Sequence, residues 1–161
     1  MSEIEDFLLP IEPEYDQVAN LGPDVVPKLI ELVKLNDPLL SSRATYALGR
    51  VGAAIASGKI PASAINNISE GLQEAAKSEL DLVRVAAAAA THGLPSQAAE
   101  PVQLILLDDP DIGVRRTVLE ALKPDAAPAV VFRIEKWANE EPSQEVKELA
   151  LIVVEKTKKQ K

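Results

Sequence analysis

The chain's only imidazole is His92. Catalysis by histidine needs a nucleophile within reach or a carboxylate that orients the ring, and metal binding needs a second ligand at a fixed spacing. The surrounding residues, Ala88-Ala89-Ala90-Thr91-His92-Gly93-Leu94, offer no nucleophile, orienting acid or second ligand. His92 reads as the end of a helix just before Gly93, where the dipole favours a partial positive charge. A second cluster, Asp108, Asp109 and Asp111, has the hard oxygen donors that calcium takes. It lacks the glycine and distal glutamate of a calcium loop and reads as a turn followed by a helix cap. Gly49-Arg50-Val51-Gly52 ends a helix instead of opening one after a strand, and Gly58-Lys59 lacks the spacing that phosphate binding needs. Cysteine is absent, which removes thiol nucleophiles, disulfides and thiolate zinc sites. These residues form no catalytic constellation, so neither an enzyme nor a bound cofactor or metal is expected.

What positions such residues follows from composition and periodicity. The 161 residues are 47% hydrophobic and 26% charged, a globular composition with length enough for one core. A formal charge of −8 speaks against nucleic acid as a partner, because a phosphate backbone demands a positive face. No apolar run approaches the length of a membrane span and no secretory leader opens the chain, so a soluble cytoplasmic protein is expected. Aromatics make up only 3%, while alanine occurs 23 times, including the run Ala86 to Ala90. Small side chains suit thin helical layers whose axes approach closely, and that points to a repeat.

Sliding the chain against itself aligns Val83-Arg84-Val85-Ala86-Ala87-Ala88-Ala89-Ala90 with Val114-Arg115-Arg116-Thr117-Val118-Leu119-Glu120-Ala121 and Val146-Lys147-Glu148-Leu149-Ala150-Leu151-Ile152-Val153. Leu40-Ser41-Ser42-Arg43-Ala44-Thr45-Tyr46-Ala47-Leu48-Gly49 is a fourth copy. The starts are 43, 31 and 32 residues apart (40 to 83, 83 to 114, 114 to 146), the first interval lengthened by the Gly52-to-Pro61 connection. Counted from each start, offsets 0, 3, 4, 7 and 8 share one helical face. Of those twenty positions only Arg43 is neither apolar nor threonine. Asp37, Asp111 and Ser143 stand three residues before their segments as predicted caps, and Ser78 and Asp81 compete for that place in the second repeat. Apolar runs beginning near Pro27, Pro101 and Pro128, with Ile60-Pro61 through Leu72 in the second repeat, give each unit a first helix. Turns such as Asp108-Asp109-Pro110 and Glu140-Glu141-Pro142 then reverse the chain.

Val25-Val26-Pro27-Lys28-Leu29-Ile30-Glu31-Leu32, followed by Asn36-Asp37-Pro38 and Ala47-Leu48-Gly49-Arg50-Val51-Gly52, resembles a HEAT repeat. Asp109-Pro110-Asp111-Ile112-Gly113-Val114-Arg115-Arg116 resembles the turn and second helix of the same motif. The short period is nearest the HEAT-like repeats associated with phycobilisome lyases. The resemblance covers roughly residues 21 to 155 and implies an all-α, right-handed α-solenoid of about four HEAT-like helical hairpins. An acidic and apolar capping segment is expected over 1–20, the repeat domain over 21–155 and a basic tail over 156–161. The resemblance also implies a ladder in which Arg84, Arg115 and Lys147 each reach the capping acid or helix end of a neighbouring repeat, with Asp37, Asp81 and Asp111 as acidic partners. Ser41 stands where repeat one should carry the base, and repeat two lacks the first-helix proline.

Function is expected on the strip of each second helix turned away from the first. At about 100° per residue, offsets 2, 6 and 9 occupy it. They read Ser42, Tyr46 and Gly49 (with Arg50 beside it), then Val85, Ala89 and His92, then Arg116, Glu120 and Lys123, then Glu148, Ile152 and Glu155. Stacked helix pairs turn this side to a concave surface. Apolar and aromatic members flanked by Arg50, Arg116 and Lys123 suit a peptide or helix of acidic character. The expected function is therefore non-catalytic binding of another protein, with Tyr46, Arg50, Val85, Ala89, His92, Arg116, Glu120 and Lys123 as contacts. A rival implied by the resemblance is a lyase or isomerase subunit acting on the bilin chromophore of a phycobiliprotein. DNA binding ranks last, since Glu120, Glu148 and Glu155 balance the bases of the strip. The ends differ in charge: Glu3, Glu5, Asp6, Glu12, Glu14, Asp16 and Asp24 lie within the first 24 residues with no base, and Lys156, Lys158, Lys159 and Lys161 close the chain. Ile4, Phe7, Leu8, Leu9 and Ile11 either fold over repeat one or dock a partner. A monomer, or a weak end-to-end oligomer, is expected.

Overall fold

The computed structural model describes residues 3–10, 13–22 and 24–159; Ile11, Glu12 and Lys161, named above, lie outside them. Two short helices, α1 (Glu3–Leu8) and α2 (Tyr15–Val18), precede four helical hairpins. These are α3 (Val25–Val33) with α4 (Pro38–Ala54), α5 (Ile65–Ala76) with α6 (Asp81–Ala90), α7 (Ser96–Leu106) with α8 (Ile112–Ala121), and α9 (Pro128–Ala138) with α10 (Gln144–Lys159). Each second helix packs on the next, α4 on α6, α6 on α8 and α8 on α10, while α3, α5, α7 and α9 stack beside them as a second layer. The result is an all-helical solenoid. Its core runs between the layers, through Leu29, Leu48, Leu72, Ala87, Leu106, Val118, Ile134 and Ala150, all fully buried. Among the described residues no helix is long and apolar enough to cross a membrane.

The starts of the second helices follow from local chemistry. Asp37 accepts the Leu39 and Leu40 N–H groups at 3.0 and 2.7 Å. Asp111 accepts that of Val114 at 3.1 Å, and Ser143 that of Val146 at 3.4 Å. Repeat two is capped by neither of its two candidates. Leu80 holds the cap position, Ser78 Oγ accepts the Leu80 N–H, and Asp81 is already the first helical residue.

Two expectations are corrected. Pro101 does not open its helix but sits inside α7, which starts at Ser96. The preceding Gln97-Ala98-Ala99-Glu100 is good helix-forming sequence hidden by its lack of bulk, and Pro101 forgoes the bond its N–H would make to the Gln97 carbonyl. Gly49-Arg50-Val51-Gly52 likewise lies within α4, which runs on to Ala54. A Cβ on Gly49 would lie 2.7 Å from the Cα, Cβ and carbonyl oxygen of Ala90. Glycine is there so that α4 and α6 can touch backbone to backbone, and the chain turns later, at Gly58 with φ +79°.

Candidate binding surfaces

Two of the three expected rungs exist, with different acids, and the Lys147 ammonium has no partner among the described residues. Arg84 Nε donates to Asp109 Oδ2 at 2.7 Å, and its Nη1 to the Ser78 carbonyl at 2.9 Å. One repeat on, Arg115 grips Glu141 through two bonds of 2.9 Å and donates to the Asp109 carbonyl at 2.9 Å. Asp37 and Asp111 are not rungs: their carboxylates accept first-turn N–H groups of their own helices, and Asp81 takes the Leu82 N–H. The acid two residues earlier, in the turn, is the one that meets the preceding repeat. Its own oxygen also fastens the cap residue, Asp109 accepting from Asp111 N at 2.9 Å and Glu141 from Ser143 N at 3.1 Å. The spacing was legible: acid, cap and base stand at 109, 111 and 115, then at 141, 143 and 147. Between repeats one and two both rung positions are serine. Ser41 Oγ stays in its own repeat, donating to the Leu32 carbonyl at 2.8 Å.

Burial pushes the Glu141 carboxyl upward, but the Arg115 hydrogen bond, the Ser143 N–H and the Arg115 charge outweigh it and hold the group below the usual carboxylate range. A carboxyl whose pKa is lower in the folded chain adds stability that is complete above its unfolded value, about 4.3. That stability vanishes as the pH falls through the folded value. Urea titrations from pH 7 downward should therefore show wild type losing stability below about pH 4.3. A Glu141→Gln chain, less stable at neutral pH, should lose less over the same acid range. Parallel curves for the two chains would contradict the assignment.

The strip divides into three parts. Tyr46 meets the Tyr15 ring edge-on with centroids 4.6 Å apart, and Arg50 pairs with Asp16, so α2 occupies the strip at repeat one. Burial pushes the Tyr15 phenol upward against the opposing pull of Arg43. On α6, Val85 and Ala89 are half-buried. On the adjacent α8, Arg116 is exposed and pairs with Glu120 and Glu145, each at 2.7 Å. His92 and Lys123 tie helix ends together: His92 Nδ1 lies 3.0 Å from the Ala121 carbonyl, and Lys123 Nζ donates to the Leu94 carbonyl at 2.7 Å. Farther along, Ile152 stays 50% exposed. The structure thus brings Val85, Ala89, Arg116 and Glu120 onto neighbouring helices and joins Tyr46 and Arg50 to the N-terminal segment. Tyr15 and Asp16 were not foreseen; nothing in local periodicity points at a distant strip.

Arg43, the one misfit on the helical face, has a physical account. Its Nη1 donates to the Leu8 carbonyl and, at 2.6 Å, to that of Pro10, holding the end of α1 against α4. Ile4, Leu8 and Val18 are buried there. Among the described residues no group of three or more histidines and carboxylates is placed to hold a metal ion.

The backbone is similar to that of a phycocyanin lyase. A chain in the structure of the complex of CpcE and CpcF of phycocyanin lyase from Nostoc sp. PCC7120 matches with a TM-score of 0.63 over 86% of this chain and 85% of that one, at 16% identity. So low an identity carries the fold, a HEAT-like helical repeat, and not the site. No protein-family model matches the sequence, and no curated protein aligns with it.

Proposed function

We propose that this chain is a non-catalytic helical-repeat protein of the cytoplasm that binds another protein through the outer strip of its second helices. The observation that carries the reading is the mixed character of that strip over α6, α8 and α10. Half-buried Val85 and Ala89 lie beside the open ion pairs of Arg116, and half-exposed Ile152 follows. Exposed ion pairs exchange partners at little cost, so Arg116 is free to turn to a carboxylate on an incoming helix. The apolar members supply the area that excludes water around it.

The test is capture from native extract with wild type beside an Arg116→Ala, Ile152→Asp double variant, with circular dichroism as the check on folding. The variant is expected to retain its partner at least about tenfold more weakly, the loss of one hot-spot contact. Equal capture by both chains would remove the strip from the account.

A second reading rests on the likeness to the phycocyanin lyase chain: a subunit acting on a bilin. It calls for a visible absorbance change when free bilin is mixed with the protein, and an unchanged spectrum would exclude it.

A further inference from the structure

We propose that the end face formed by α10 and α9 takes a helical hairpin of another protein, one whose interhelical turn carries an acidic residue. The inference goes beyond the strip described above and shares no residue with it, so either can fail alone.

Two series of equivalent positions carry it. At offset 5 of the second helices the residues are Thr45, Ala88, Leu119 and Leu151. The first three are 0%, 0% and 1% exposed, each covered by the repeat that follows, whereas Leu151 is 51% exposed. Leu151, the bulkiest of the four along with Leu119, has no such cover among the described residues. At offset 1, Arg84 and Arg115 each reach a turn acid of the next repeat. Lys147 holds the same position on α10 and has no partner among the described residues. Apolar knob and unpaired cation lie one helical turn apart on the same face.

The internal joints specify the occupant. A hairpin that covers Leu151 as α10 covers Leu119 brings its turn against Lys147, where Asp109 and Glu141 stand for the earlier bases. A second copy of this chain does not fit. Its first hairpin has Leu35 at the acid position, two residues before the Asp37 cap. The outer side of that hairpin is also covered by α1 and α2.

The experiment appends a second copy of residues 125–159 to the full chain through a long Gly/Ser linker, making a tethered hairpin whose turn contains the Glu141 equivalent. Hydrogen exchange of the α10 amides and the Tm are read. Docking should slow exchange around Leu151 at least about tenfold and raise the Tm by several degrees. The gain should fall with Glu141→Gln in the appended copy alone and with Lys147→Met, and vanish with Leu151→Glu, a change at an exposed position. No protection in the tethered chain overturns the proposal, as does protection indifferent to all three substitutions. Sedimentation of the untethered wild type is the last arm: self-association abolished by Leu151→Glu would make the occupant a second copy and sink the assignment to another protein.

Discussion

Arg115→Ala should lower the unfolding free energy by about 3–5 kcal/mol, read as a fall in the urea midpoint at unchanged slope. The reason lies in the residue left behind. The Glu141 side chain is 1% exposed, and that of Arg115 12%. Removing the guanidinium strands a buried carboxylate that has lost both arms of a bidentate fork and keeps only the Ser143 N–H. It also frees the Asp109 and Pro110 carbonyls that Arg115 ties down. A carboxylate in that position must either protonate or draw water into the joint between α8 and α10. Arg115→Met combined with Glu141→Met should recover most of the loss, because the pair's cost is desolvation and apolar side chains of like volume avoid it. Arg116→Ala, one residue along, should leave the urea midpoint close to that of wild type, its ion pairs being solvent-exposed. If the Arg115 and Arg116 truncations came out alike, the rung would not be holding the stack.

Gly93→Ala should cost about 2–3 kcal/mol, read as a fall in Tm of roughly 4–12 °C for a chain of this size. A Cβ on Gly93 would fall inside the contact distance of the Gly49 carbonyl oxygen, and one on Gly49 would meet the Ala90 backbone at 2.7 Å. Neither neighbour has a rotamer to give; α4 must move away from the end of α6, and the core beneath opens with it. Gly71→Ala is the control. The obstacle there is Ile30 Cγ1 at 2.8 Å, a side-chain atom that can swing aside, so its cost should stay below about 1.5 kcal/mol. Thermal melts of the two glycine variants decide whether backbone contact is what sets the spacing of the first two repeats.

What was legible in the sequence follows the range of the forces involved. Helical faces, the Asp37 and Asp111 caps and the four-hairpin order come from interactions within a few residues, and periodicity reports those directly. The start of α7 was hidden because Ser96 to Glu100 contributes alanine and polar residues, with no apolar stripe to mark a helix. The base ladder was anticipated but assigned to the caps. Asp37 and Asp111 cap their own helices, whereas the acids that meet an arginine, Asp109 and Glu141, stand in the turn before the cap, on the side of the preceding repeat. On the strip, residue identities were readable and their occupancy was not. Asp16 reaches Arg50, and Tyr15 reaches Tyr46, across a separation set by how the N-terminal segment lies over α4, which no local pattern encodes. Arg43 shows the converse: a break in the apolar pattern marked the place where a second segment is held.

The missing rung between repeats one and two gives the molecule a polarity of disassembly. Its first joint rests on close contact of glycine and alanine backbones, with no arginine–carboxylate rung across it. The joint between α8 and α10 is clasped by Arg115 and Glu141, and acid undoes that clasp from the carboxylate side. Under acid the rod should fray from its high-numbered end inward, shedding its last hairpin while the first two remain folded together as a unit.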